Sequence, residues 1–234
     1  MQIVPVIDLK GDLVVHARQG ERGRYEPIVT PLSRSAEPAA VLDGLMAVAP
    51  FEAVYVADLD AIMAGRPINP VIERLADRHA TLPFWVDAGI ASPAAAAALL
   101  AHDRLHPVIG SESQSDCRLL EQLRDHPRVL LSLDFRGDDF VGPVELLDRP
   151  ERWPRRVIVM TLARVGSGSG PDLGRLDRIL ARARGRKVFA AGGVRGPDDA
   201  EELAARGVAG ALVASAIHQG AIRSATFAAA RRHG

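Results

Sequence analysis

Short apolar runs rich in β-branched residues recur along the whole chain. They lie at Ile3–Asp8, Ala53–Asp58, Pro83–Asp87, Pro107–Gly110, Val129–Asp134, Arg156–Thr161, Lys187–Ala191 and Gly210–Ala214. Each is too brief for a buried helix and lacks strict alternation, which is the pattern of a parallel strand covered on both faces. Between them the spacing predicts helices at Glu37–Ala49, Pro70–His79, Ala94–His102, Asp116–Arg124, Leu173–Arg184, Pro197–Ala205 and Ser224–Arg232. A weaker helical stretch is Val144–Asp148. The alanine-rich run Ala94–Ala98 follows Ser92-Pro93, an N-cap and a first-turn proline, so it reads as a packed helix. Eight strand–helix units in 234 residues fit a closed (β/α)8 TIM barrel better than an open doubly wound sheet. No Ser/Gly-rich linker or block of like charge divides residues 1–234, which are read as one domain.

Internal echoes point to two half-barrels. Asp8-Leu9-Lys10-Gly11-Asp12 matches Asp134-Phe135-Arg136-Gly137-Asp138 in pattern, each at the end of an apolar run. Gly89-Ile90-Ala91-Ser92-Pro93 resembles Gly193-Val194-Arg195-Gly196-Pro197, and at the same offset Val108-Ile109-Gly110-Ser111 lines up with Leu212-Val213-Ala214-Ser215. A half-barrel duplication would set Asp8 and Asp134 opposite one another across the barrel mouth.

Composition narrows the function classes. The chain is 47% hydrophobic, and its 29 basic residues balance 29 acidic ones, so no global field recruits nucleic acid or a membrane surface. Lysine occurs only at Lys10 and Lys187, the remaining cations being arginine; with so much alanine this reads as coding bias. The single cysteine, Cys117, excludes an internal disulfide and a thiolate metal cage, and reads as a small apolar residue. The opening MQIVPVIDLKG lacks a basic leader and a long apolar segment, and no run is long enough to span a bilayer. A soluble cytoplasmic domain is expected, monomeric or weakly dimeric, with no metal and no cofactor.

In a (β/α)8 barrel the chemistry sits at the carboxyl ends of the strands. Asp8 and Asp134 end apolar runs at symmetric positions, where paired carboxylates serve as general acid and base once their proton affinities are tuned. The plain alternative is that each caps its loop. Asp58, Asp60 and Asp87 also end runs, and either read substrate hydroxyls or pair with arginine. Gly192-Gly193, Ala214-Ser215 and the Gly166-Ser167-Gly168-Ser169-Gly170 run follow the last three runs, where glycine turns present amides to a phosphate. The serine–glycine run could also close as a flap. Their first-half counterparts Gly89, Gly110 and Ser111 complete the candidate phosphate-binding set. Arg18, Arg22 and Arg24 lie on the long first loop and suit anion binding. Lys10, two residues past Asp8, is a Schiff-base candidate if buried, otherwise an outward-facing cation. The seven histidines show no metal-ligand spacing, and His218, which follows the loop after the last run, is the one candidate among them.

These residues resemble the HisA/HisF family of histidine-biosynthesis barrels from Ile3 to about Arg223. The likeness rests on Val4-Pro5-Val6-Ile7-Asp8-Leu9-Lys10-Gly11, Val56-Ala57-Asp58-Leu59-Asp60, Gly65-Arg66-Pro67-Ile68-Asn69, Ser132-Leu133-Asp134 and Ala191-Gly192-Gly193-Val194. The resemblance implies a half-barrel-duplicated fold and makes Asp8 and Asp134 the paired catalytic aspartates. It implies an Amadori rearrangement, aminoaldose to aminoketose, without metal or cofactor.

Departures from the HisA pattern fall on the turns that would bind phosphate, and the first-half anion site is degraded. Asp87-Ala88-Gly89-Ile90-Ala91 stands where HisA carries a glycine-rich turn with arginine, so a carboxylate faces a place meant for phosphate. Val165-Gly166-Ser167 replaces an Asp-Gly-Thr, Ala214-Ser215 replaces a Gly-Arg, and Arg195 appears beside the second glycine turn. The run from Leu162 to Pro171 resembles a divergent HisA-related subgroup found among users of tetrahydromethanopterin-type carriers, which implies a link to one-carbon metabolism. The reading is an isomerase of a small phosphorylated sugar or ribotide, distinct from the ordinary histidine-pathway enzyme. The alternatives are a Schiff-base aldolase or lyase using Lys10, and a non-catalytic scaffold barrel.

Overall fold

A computed structural model describes residues 1–222. Ten strands form one sheet: β1 (Gln2–Lys10), β2 (Leu13–Val15), β3 (Val54–Asp58), β4 (Phe84–Asp87), β5 (Leu105–Gly110), β6 (Leu130–Arg136), β7 (Asp139–Val141), β8 (Arg156–Thr161), β9 (Lys187–Ala191) and β10 (Gly210–Val213). Eight pair in parallel, in the order β1-β3-β4-β5-β6-β8-β9-β10, and β10 pairs back onto β1 through Gln2↔Gly210 to Pro5↔Val213. All eight apolar runs are the eight barrel strands, shifted by at most a few residues.

The helices are α1 (Pro38–Val48), α2 (Leu59–Ala64), α3 (Val71–Arg78), α4 (Pro93–Leu100), α5 (Arg118–Leu123), α6 (Val144–Asp148), α7 (Leu173–Arg182), α8 (Pro197–Ala205) and α9 (Ser215–His218). Ser92 caps α4 as the sequence predicts, accepting the Ala95 amide at 3.2 Å, and Asp172 caps α7 at Arg175 in the same way. The predicted helix Ser224–Arg232 lies outside the described residues.

Two cores follow from the alternation of side chains across a strand. One residue from every barrel strand fills the interior: Val4, Tyr55, Trp85, Val108, Leu130, Ile158, Phe189 and Leu212. The opposite faces, with Ile7, Val56, Val86, Ile109, Leu133 and Val159 among them, pack under the helices. Gly210 makes the interior layer feasible, because a Cβ there would stand 2.6 Å from the Phe189 ring.

The repeated Asp-x-x-Gly-Asp motif builds a hairpin in each half of the barrel. After Asp8 and after Asp134 the chain folds back as an antiparallel hairpin, β1–β2 and β6–β7, with registers Asp8↔Val15 and Asp134↔Val141. The turn glycines Gly11 and Gly137 have φ of 59° and 60°. Different side chains secure the two turns. Asn69 donates to the Gly11 carbonyl at 2.9 Å, and Arg175 donates to the Gly137 carbonyl at 2.7 Å.

Candidate active site

Strand parity decides which acids enter the barrel. Residues 4, 6 and 8 of β1 point inward with 85 and 87 of β4 and 130, 132 and 134 of β6, so Asp8, Asp87 and Asp134 converge at the carboxyl end of the barrel. They line one cavity of about 360 Å³, together with Tyr55, Arg22 and Glu112. Gly110 sits between two of them: a Cβ there would be 3.5 Å from an oxygen of Asp87 and 3.5 Å from an oxygen of Asp134.

The three carboxyls hold their protons unusually well. Burial pushes Asp8 up to about 7, with Arg22 opposing the shift and Asp87 adding to it. Burial, then the charge of Asp87, pushes Asp134 up to about 7 against a hydrogen bond from Ser132. Asp87 rises to about 6, mainly through burial, with the Gly89 amide, Tyr55 and Arg22 opposing it. Asp134 is tightly held: Ser132 Oγ donates to Oδ1 at 2.6 Å, and the Glu112 amide reaches Oδ2 at 3.2 Å. Ser111 Oγ accepts the Asp134 amide at 2.9 Å and lies 2.7 Å from the Val141 carbonyl and 3.1 Å from Asp134 Oδ2. With its single proton directed to Val141, Ser111 meets Oδ2 favourably when that carboxyl is protonated. The Asp8 carboxyl has no hydrogen-bond partner among the described residues, and Asp8 keeps part of its surface open to the cavity.

Across the cavity from Asp87 lie Gly166, Ser167, Gly192, Gly193, Ala214 and Ser215. The amides of Gly193 and Val194 make no backbone bond among the described residues, which leaves donors for an anion. The glycines are also demanded by the chain itself. Gly193 has φ 90°, and a Cβ on it would stand 2.2 Å from the Gly170 carbonyl. A Cβ on Gly166 would be 2.3 Å from the Ala17 carbonyl. The serine–glycine run is laced down rather than free: Arg164 donates to the Gly170 carbonyl at 2.9 Å, and Ser167 Oγ donates to the Arg164 carbonyl at 2.9 Å.

Other candidates are placed elsewhere. Lys10 does not line the cavity; its ammonium donates to the Arg22 carbonyl at 3.1 Å and so fixes the loop that carries Arg22. Asp58 faces outward and caps α2, accepting Ala61 at 3.2 Å and Asn69 at 2.7 Å through their amides. Asp60 accepts the Gly11 amide at 2.6 Å and braces the first hairpin. Gly89, Gly110 and Ser111 support Asp87 and Asp134 from behind and are not among the cavity-lining residues. Arg195 stands at the rim, engaged with Asp199 at 2.6 and 2.9 Å. His218 is buried, its ring 3.0 Å from Thr30 Oγ1, and burial with His16 nearby lowers it to about 4. Of the three loop arginines only Arg22 enters the site, where it pairs with Glu112; Arg24 is exposed and pairs with Glu21.

Tyr55 and Glu112 escaped the sequence reading. The Tyr55 hydroxyl donates to Asp87 Oδ2 at 3.0 Å and itself titrates far above the ordinary tyrosine value, chiefly through burial. Its signal was present, a lone polar aromatic inside an apolar strand. Glu112 carried none, since it follows a strand end in an ordinary turn. Among the described residues no group of three His, Cys, Asp or Glu side chains is arranged to hold a metal, and no helix is long and apolar enough to cross a membrane.

A family profile described as histidine biosynthesis protein matches residues 2–223. The chain is 31% identical over 242 aligned positions to the 1-(5-phosphoribosyl)-5-((5-phosphoribosylamino)methylideneamino)imidazole-4-carboxamide isomerase of Halorhodospira halophila, covering 97% of this chain and 95% of that one. It is 29% identical to the isomerase of the same name from Roseiflexus, over 94% and 95% of the two chains. An uncharacterized protein of Methanocaldococcus jannaschii is 26% identical, with 95% of each chain covered. With the profile spanning nearly the whole barrel, the chain belongs to the histidine biosynthesis protein family, the HisA/HisF barrels.

Proposed function

We propose that this barrel is an acid/base isomerase of a singly phosphorylated aminosugar or ribotide, with Asp8 and Asp134 as its proton-transfer pair. One observation carries the reading: two strand-end carboxyls from equivalent places in the two half-barrels line one cavity, both raised to about 7. Near neutral pH such a pair supplies one protonated and one ionised group at once.

The chemistry follows from that pair. Protonation of the ring oxygen of an aminoaldose lets the bond from C1 to that oxygen break, with the nitrogen lone pair forming C1=N. Removal of the C2 proton then gives an enolamine, and return of a proton to C1 with loss of the C2 hydroxyl proton leaves the 2-ketose. Asp8, without a protein partner, is the group free to exchange protons with the substrate. Asp134, braced by Ser111, Ser132 and the Glu112 amide, works from the opposite wall.

Charge in the cavity argues for one phosphate. Free amides and the Ser215 hydroxyl lie on the β8–β10 side. On the other side stand Asp87 and Glu112, and the one cation there, Arg22, is already paired with Glu112. A second phosphate would meet like charge at close range. The substrate's other half is therefore neutral or cationic, with a donor for Asp87. The link to tetrahydromethanopterin-type metabolism rests on the resemblance of the Leu162–Pro171 run alone.

The test offers the purified protein two substrates: the bisphosphorylated imidazole carboxamide ribotide of the named isomerases, and N-phenyl ribosylamine 5-phosphate. Turnover of the second and none of the first is expected. Efficient turnover of the first would return the protein to the histidine-pathway reaction.

A further inference from the structure

The end of the barrel opposite the carboxyls holds a second concavity that isomerisation does not use. The turns leading into β6, β8 and β9 line an open concavity of about 630 Å³. Arg124, Arg155, Arg156, Arg184, Arg186 and Lys187 line it, against a single acid, Asp125. Asp125 lies 3.6 Å from Arg124, leaving five cations over.

Several arginines elsewhere meet carboxylates, as Arg22 meets Glu112, Arg195 meets Asp199 and Arg206 meets Asp177. Among the described residues none of the five has a carboxylate within ion-pair distance, and residues 223–234 contain no Asp or Glu. Two are instead fastened to main-chain carbonyls. Arg156 donates to Pro127 at 2.6 Å, and Arg186 donates to Trp153 at 2.8 Å and Glu151 at 2.9 Å. Burial, then Arg155 for Arg156 and Arg184 for Arg186, lowers the proton affinity of both, with Glu151 opposing the shift at Arg186. Arg184 adds backbone strain, with φ 49° in the turn before Gly185.

Fixed guanidiniums in a concavity, without protein counterions, are preorganised for phosphate oxygens. Five charges without an ion-pair partner call for more than one phosphoryl group, and a concavity of about 630 Å³ has room for a small molecule that carries them. We propose that this amino-terminal end of the barrel binds an oligophosphate, a small molecule with two or more linked phosphoryl groups, apart from the catalytic cavity. The site also touches the barrel floor: the Arg156 guanidinium lies 5.5 Å from the Trp85 ring centre, and Trp85 meets Phe189 edge-on at 4.9 Å.

The two tryptophans of the chain make the test direct, since Trp153 lines this cavity and Trp85 lies beneath it. Sodium tripolyphosphate titrated into the full-length protein should give a saturable change in tryptophan emission. Arg155→Glu with Arg184→Glu, both exposed side chains, should weaken it by about tenfold or more. Lys187→Glu is an independent variant should the double one fold poorly. Asp8→Asn, at the other end, should leave the titration unchanged. Calorimetry with a nucleoside triphosphate then assigns the source: tighter binding than tripolyphosphate identifies a nucleotide, equal binding the phosphate chain alone. No saturable change, the same change from sodium chloride at matched ionic strength, or full binding by the charge-reversed variants would overturn the proposal.

Discussion

Asp8 and Asp134 owe their similar proton affinities first to burial, but their carboxyls are held differently. Asp134 is buried and wrapped by two serine hydroxyls and an amide, so it is rigid; Asp8 opens to the cavity without a protein partner. Asp8→Asn and Asp134→Asn should each lower turnover by roughly 10²- to 10⁴-fold, the usual worth of general acid–base catalysis, while inorganic phosphate binding persists. Steady-state kinetics beside phosphate titration separates these effects. The rate should follow a narrow bell centred near pH 7, rising as the base ionises and falling as the acid loses its proton. Asp87 carries a stability consequence of defined sign. Its folded value, about 6, lies above the ordinary 3.8, so the native state binds this proton more tightly than the unfolded chain. That contribution is fully present below pH 3.8 and is lost as pH rises through about 6. Asp87→Asn should therefore raise the melting temperature by several degrees at pH 8 and barely change it at pH 4. Equal shifts at both pH values would contradict a buried, costly carboxylate.

At the scale of elements, the two hairpins carry the duplication into three dimensions. One returns from Asp8 and the other from Asp134, each through a left-handed glycine, and each is clamped by a side chain from another element. Arg175 is buried, stacks 4.4 Å from the Phe135 ring centre and holds the Gly137 carbonyl. Arg175→Met should cost roughly 1–3 kcal/mol, by leaving that carbonyl without its donor, and speed amide exchange in β7 ahead of the other strands. Gly210→Ala should destabilise by about 1–3 kcal/mol through its clash with Phe189, measured by chemical denaturation. The barrel strands were legible because both faces of a parallel strand are apolar. The same property hid which face points inward. Hence Asp58 and Asp87 looked alike in the sequence, though one caps α2 outside the barrel and the other lines the cavity. The hairpins were illegible because β2 and β7 are three residues each, too short for a pattern.

Over the whole molecule, two nearly symmetric halves frame a site that is not symmetric. Echoing turns diverge in role: Gly193 lines the cavity beside free amides, while its counterpart Gly89 spends its amide on Asp87. The Asp8–Asp134 pair was readable from the repeat, whereas the contributions of Tyr55, Arg22 and Glu112 depend on contacts between distant segments. Asp87→Asn with Glu112→Gln should improve affinity for a bisphosphorylated ribotide by about tenfold or more by calorimetry, since like charge is removed from the second phosphate's path. No gain would mean that shape rather than charge excludes it. The most direct test of the proton-transfer pair follows N-phenyl ribosylamine 5-phosphate in D2O by NMR, with native protein, Asp8→Asn and Asp134→Asn. Native protein should form the 2-ketose with one deuterium at C1, and both variants should lose this activity while still binding phosphate. Full-rate product formation by either variant would contradict acid/base catalysis by Asp8 and Asp134.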